Sequence, residues 1–168
     1  MSSMRISAAI DQLKTVRGVT KHFLSGLTPD EWFWMPEPAV THIAWQVGHI
    51  AFAEYGLCLK RLRGARPEDE QLISASFVER FGRGSTPVAG PENNPPVEDV
   101  LETMDRVHEQ ALSELAGYTD EELDVPVDPP HPVFKTNLGA VAFCPDHEAL
   151  HAGQIVLLRR MLGKAPTW

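Results

Sequence analysis

Apolar side chains return every third or fourth residue through four stretches of the chain, with polar positions filling the gaps. Between residues 4 and 26 they are Ile6, Ile10, Leu13, Val16, Val19, Phe23 and Leu24, one stripe of an amphipathic helix with Gly26 as its stop. A second stretch, 41 to 63, carries Ile43, Trp45, Val47, Ile50, Phe52, Leu57, Leu59 and Leu62 around well over half of a helix, which predicts burial on more than one side. The third, 97 to 116, has Val97, Val100, Leu101, Met104, Val107, Ala111, Leu112 and Leu115 in register behind a proline and acids at its start. The last runs from 137 to 163 with Pro145 inside it. A proline there removes a backbone hydrogen bond and crowds the preceding turn, which predicts a kink or a break near Phe143.

The connections are proline-rich. "LTPDEWFWMPEPAV" offers a threonine cap and one short helical turn at most, "EQLISASFVERF" is a helical piece within a long crossing over 64–96, and "DVPVDPPHPVF" links the last two helices. No stretch alternates as a strand does. The pattern therefore predicts an all-α four-helix bundle in one domain spanning 1–168. The crossing is long enough to return along the bundle and let the second and third helices run parallel, giving the order up-down-down-up.

Composition narrows the setting. With 43% hydrophobic and 23% charged residues the chain is globular in type, and no apolar run is long enough to span a membrane. Asp11 interrupts the N-terminal stretch before an apolar signal core develops, so a cytoplasmic location is expected. Acidic residues exceed basic ones by 23 to 15, a surface that repels phosphate backbones; nucleic acid is not an expected partner. The basic cluster "KRLRGAR" suits the end of a helix by its dipole alone. Cys58 and Cys144 are too few for a disulfide framework and are expected to be free thiols.

The candidate chemistry lies in the histidines. In "DHEALHAGQ", His147 and His151 stand four apart, on one face of a helix, at a spacing that can chelate one ion. Two ligands hold a metal weakly, and a third must come from another helix. His49 in "HIAWQVGHIAFAEY" lies amid so much apolar surface that it needs a partner. The competing account is ordinary: helical histidines are usually solvated or singly hydrogen-bonded, and this chain has 7.

"WQVGHIAFAEY" and "DHEALHAGQIVLLRRMLGK", with "FVERFGRGSTP" between them, resemble the two signature helices and the crossover of the DinB/YfiT-like superfamily, over roughly residues 5 to 163. The resemblance implies a four-helix bundle, typically up-down-down-up and often a homodimer, with a divalent metal held by three histidines on two helices. By position these are His49, His147 and His151. It also implies a small-molecule substrate, the family's uses including thiol S-transferases that employ low-molecular-weight thiols and a thiol-dependent isomerase.

Three neutral imidazoles leave an ion its full charge and an open position, the catalytic style of site. Zn, Ni and Fe all suit imidazole. The first expectation is a metal-dependent transferase that activates a thiolate against a small electrophile. A metal-dependent hydrolase and a non-catalytic metal- or small-molecule-binding bundle are the alternatives. Gln154 shares the ligand face, while Glu148 or Asp146 is placed either to orient an imidazole or simply to favour the helix start after Pro145. Cys144, three residues before His147, is a candidate for a fourth ligand or a redox-reactive thiol, against the ordinary reading of a small buried hydrophobe. His42 reads as a cap, His108 as able to reach the pocket, His131 as a loop residue overhanging the metal and His22 as surface. Arg80, Arg83, Arg159 and Arg160 are candidates for holding an anionic thiol, and Trp32, Trp34, Phe52 and Tyr55 for a contact between copies.

Overall fold

Each apolar stripe becomes a long helix in the computed structural model, which describes residues 4–38 and 40–167. The first is α1 (Met4–Phe23), with Gly26 in the left-handed region (φ 69°) just past its end. A one-turn helix, α2 (Pro29–Trp32), follows, its start held by the Glu31 carboxylate accepting the Thr28 N–H at 2.8 Å. The second stripe is α3 (Ile43–Glu54), which continues through a π-helical turn over Tyr55–Lys60 into α4 (Arg61–Arg63). The pattern did not signal the π turn, because one extra residue in the ladder leaves the apolar spacing nearly intact.

The crossing 64–96 is more structured than a loop. It contains α5 (Asp69–Leu72), α6 (Ala75–Phe81) and a single 3-10 turn, Pro91–Asn93. Then come α7 (Val97–Leu115), the short α8 (Asp120–Leu123) with its Thr119/Glu122 capping box, and α9 (Asn137–Met161). Of the kink or break expected near Phe143, the break does not occur. α9 is helical throughout 137–161, and buried residues on both sides of Pro145, Val141, Cys144 and Glu148 among them, hold the helix across the lost hydrogen bond.

Pairs between helices give their directions. Arg5 at the start of α1 meets Asp124 beyond the end of α7, and Lys21 near the end of α1 meets Asp105 in the first half of α7, so these two run antiparallel. Glu54 meets His108 and, further on, Arg63 meets Glu114, so α3 and α7 are parallel. Gln46 meets His151 while Arg61 lies over Phe134 ahead of α9, which makes α3 and α9 antiparallel. The order is up-down-down-up, as the long crossing predicts.

The core is built from Ile6, Leu13, Ile43, Ile50, Leu59, Met104, Leu115 and Ile155, all essentially without solvent contact. Trp32 and Tyr55 belong to it, and the partly buried Trp34 and Phe52 pack against it, so core packing accounts for the aromatic residues weighed for a contact between copies. Among the described residues no helix is long and apolar enough to cross a membrane.

At the centre of the bundle one charged residue from α1, one from α3 and one from α9 meet. Arg17 donates from Nη2 to Glu54 at 2.7 Å, from Nε to Glu148 at 3.0 Å and from Nη1 to the carbonyl of Met104 on α7 at 3.1 Å. His108 on α7 closes the group at 2.7 Å from the second oxygen of Glu54. Burial alone would raise the pKa of Glu54; Arg17 and His108 outweigh it and hold the carboxyl below its usual range. Removing the cation from such a cluster strands two buried carboxylates. Arg17→Met should therefore cost about 3–5 kcal/mol in urea unfolding at pH 7, and adding Glu54→Gln and Glu148→Gln to it should recover most of that loss. A single variant as stable as the wild type would mean that water already reaches the cluster.

Candidate metal centre

His49 owes its position to the glycine before it. A Cβ on Gly48 would lie 2.4 Å from the ring of Phe81, so only glycine lets α6 approach α3 this closely. The same approach brings the Phe81 carbonyl to 2.8 Å from Nδ1 of His49. Trp45, one turn earlier on α3, stacks on the imidazole with centroids 4.7 Å apart and planes 9° from parallel, and its indole N–H is held by Ser85 Oγ at 2.9 Å. The crossing segment 81–85 is thus fastened to α3 at two points.

His147 and His151 come from adjacent turns of α9 and face His49 across the α3–α9 contact. Ring centroids are 4.6 Å apart for His147 and His151, 4.9 Å for His49 and His151, and 5.5 Å for His49 and His147. One ring nitrogen from each lies within 4.8 Å of the others, and the Nε2 atoms of His147 and His151 are 3.3 Å apart. Asp, Glu and Cys are missing from this trio.

The outer ring nitrogens decide what the inner ones offer. A carbonyl oxygen only accepts, so His49 carries its proton on Nδ1, toward Phe81, and leaves Nε2 bare. Nδ1 of His151 stands 2.5 Å from Oε1 of Gln46, whose amide is turned by its own donation to Thr41 Oγ1 at 2.8 Å. His151 therefore also keeps Nδ1–H and a bare Nε2. Two of the three imidazoles are fixed in the tautomer that ligates through Nε2, and the partners that fix them are neutral. Burial, with the neighbouring imidazoles adding to it, lowers the pKa of both His147 and His151 to about 4. Burial lowers that of His49 too, against the opposing pull of the Phe81 carbonyl. All three are neutral at pH 7, the state a metal requires.

Other residues singled out by the sequence are placed as follows. Glu148 orients no imidazole: it is buried and committed to Arg17. Asp146 is exposed, while Gln154, also exposed, offers His151 a side-chain hydrogen bond. Cys144 is buried beside Cys58, whose contact, together with burial, raises its pKa; both thiols are free, and Cys144 stands outside the trio. His42 caps α3, its Nδ1 accepting the Trp45 N–H at 3.0 Å. His108 is drawn to Glu54 rather than to the three imidazoles. His131 stacks on Phe134 at 3.9 Å, separated from His147 by that ring and Phe143. His22 is at the surface, with Nε2 2.8 Å from the carbonyl of Thr167. Arg80 lines a separate cavity of about 600 Å³ with Ser74, Asn94 and Arg106. Arg83 and Arg160 are exposed, and Arg159 is buried against the Ser25 carbonyl. Sequence reasoning missed Gln46; its signal was a polar side chain between the buried positions Ile43 and Ile50.

The model of the DinB superfamily matches residues 12–155. Curated proteins provide no match. Among solved structures, the fold is similar to that described as "YfiT from Bacillus subtilis is a probable metal-dependent hydrolase with an unusual four-helix bundle topology", with a TM-score of 0.66 and 18% identity, covering 98% of this chain and 91% of that one.

Two outcomes follow for the metal-free protein and its ligand set. The unfolded chain takes up protons on these histidines near the ordinary pKa of 6.5, and the folded chain only near 4. Lowering the pH from 6.5 toward 4 therefore favours unfolding, and the melting temperature of chelator-treated protein should fall through that window and be flat in this respect above it. His147→Gln with His151→Gln should flatten part of the decline; an unchanged slope would show the imidazoles to be freely protonated. In chelator-competition titrations, Gln46→Leu, which keeps the bulk and removes the acceptor, should weaken metal binding roughly 10–100-fold. Equal affinity would leave Gln46 no part in orienting His151.

Proposed function

Since this chain belongs to the DinB superfamily, we propose that it is a metal-dependent enzyme whose His49, His147 and His151 hold a divalent ion, Zn, Ni or Fe, and that it transfers a low-molecular-weight thiol to a small electrophile. The observation that carries this is the clustering of one ring nitrogen from each of the three imidazoles within 4.8 Å, with the Nδ1 protons of His49 and His151 committed outward so that their Nε2 atoms are bare. An ion there would supply Lewis acidity and would lower the pKa of a thiol or water that it binds.

The surroundings favour the thiol. The groups that touch the three imidazoles are the Phe81 carbonyl, the amides of Gln46 and Gln154, and the rings of Trp45, Phe52 and Phe143. Among the described residues, none of these is a general base. A thiol, with an ordinary pKa of about 8.5, needs only a small shift to ionise at pH 7, whereas water activation commonly recruits a side-chain base. In the transfer, the new S–C bond forms as the bond to the leaving group breaks and that group departs with the electron pair. Hydrolysis is the second reading, supported by the printed description of the similar YfiT structure as a probable metal-dependent hydrolase.

Elemental analysis of tag-free protein purified without added metal should find close to one ion per chain, lost in His49→Ala and in His151→Ala. Replacing the ion with Co(II) should then give a thiolate-to-metal absorption band on adding a thiol, absent in His147→Ala. An ion without the band would turn the proposal to the hydrolase, and no ion together with no metal-dependent rise in melting temperature would leave a non-catalytic bundle. Sedimentation of the same samples gives the particle mass; a monomer would remove the homodimer.

A further inference from the structure

The arginines around the end of α4 are not equivalent. Arg63 is held by Asp69 at 2.8 Å and Glu114 at 2.6 Å, and Arg66 lies 3.6 Å from Glu114. Arg61, two residues before Arg63 in the same basic cluster, has no carboxylate partner among the described residues. Its guanidinium carbon stands 5.2 Å from the centroid of Phe134, and its Nε is buried with no hydrogen-bond partner. A buried N–H left unpaired in a well-satisfied protein calls for an explanation.

The place of Arg61 suggests what completes it. Phe134 is 5.8 Å from Phe143, and Phe143 is 6.0 Å from His147, so an unbroken run of rings leads from the candidate metal centre to the guanidinium. Phe134 is buried, with His131 stacked on it and Arg61 over it, and serves as a platform. Phe143 is half-buried and presents apolar surface beside His147. The π turn over Tyr55–Lys60 comes directly before Arg61 and resets the face that it presents; Leu57, within that turn, packs on the same small cluster of Val127, Phe134 and Ala140.

Resting on the metal-centre reading above, we propose that Arg61 is a specificity-determining residue that binds a carboxylate of the ligand whose other end reaches the three histidines, with the ligand's apolar middle against Phe143. The planar guanidinium supplies a paired donor edge for a carboxylate, and the metal end and the arginine end together select molecules that are anionic at a distance from their reactive group.

The probes are a series of ω-carboxyalkyl hydroxamates and their methyl esters, titrated calorimetrically into the Zn-loaded protein; the hydroxamate serves any open metal site, whichever reaction that site runs. At the best chain length the acid should bind on the order of 10–100-fold more tightly than its ester. Arg61→Met should abolish that preference while leaving ester affinity and Zn affinity unchanged, and Arg61→Lys, which keeps charge but not the fork, should retain part of it. Acid and ester binding alike to wild type, or a preference that survives in a folded Arg61→Met, would overturn the role of Arg61 and leave the metal centre standing. Binding of neither probe would overturn the metal centre and this inference with it.

Discussion

Everything at the candidate centre depends on one buried cation. Arg17 of α1 binds Glu54 of α3 and Glu148 of α9, and those two helices carry the three histidines. Glu148 directly follows His147, and Glu54 lies five residues beyond His49. The guanidinium therefore sets the spacing of α3 and α9 at the level where it matters. Burying three charged groups is costly, and an apolar core of the same volume would be no less stable. What the cluster provides instead is a fixed register, since sliding either helix by a turn would strand a carboxylate in the core.

The cluster also sorts charge. Glu54 and Glu148, the buried carboxylates of the two ligand-bearing helices, are neutralised by Arg17, and the imidazoles are left with a carbonyl, two amides and aromatic rings. An anionic partner on an imidazole would make it a stronger donor and damp the charge of any ion that it held. Neutral partners hold the rings just as firmly and leave that charge undiminished. A helix with acids on both sides of His147 thus yields an electrophilic site rather than a charge-balanced one, because Glu148 is committed to Arg17.

Much of this was legible in the chain. The four helices followed from apolar periodicity, their order from the length of 64–96, and the three histidines from spacing and from the likeness of two segments to a known family. The misses share a cause. Pro145 reads as a break only if the helix around it has nothing else to hold it, and its anchors, Cys144 and Glu148, are satisfied by Cys58 and Arg17 far away in the sequence. The orienting partner was sought among acids close to the histidines in sequence, whereas the structure uses Gln46, 105 residues from His151, and the backbone of Phe81, 32 residues from His49. Local patterns report the face of a helix. They do not report which distant group comes to rest against it.

Gly48 shows how a short-range signal carries a long-range result. In "WQVGH" it reads as a weak point in a helix, the least favourable residue there save proline. Its missing side chain admits the ring of Phe81, and with it the carbonyl that reaches the imidazole of His49. Trp45 and Ser85 then seal the contact on the other face of the same ring. The crossing that makes the bundle's order possible is thus the element that fixes the tautomer of His49, so the topology and the chemistry of the site rest on the same close approach.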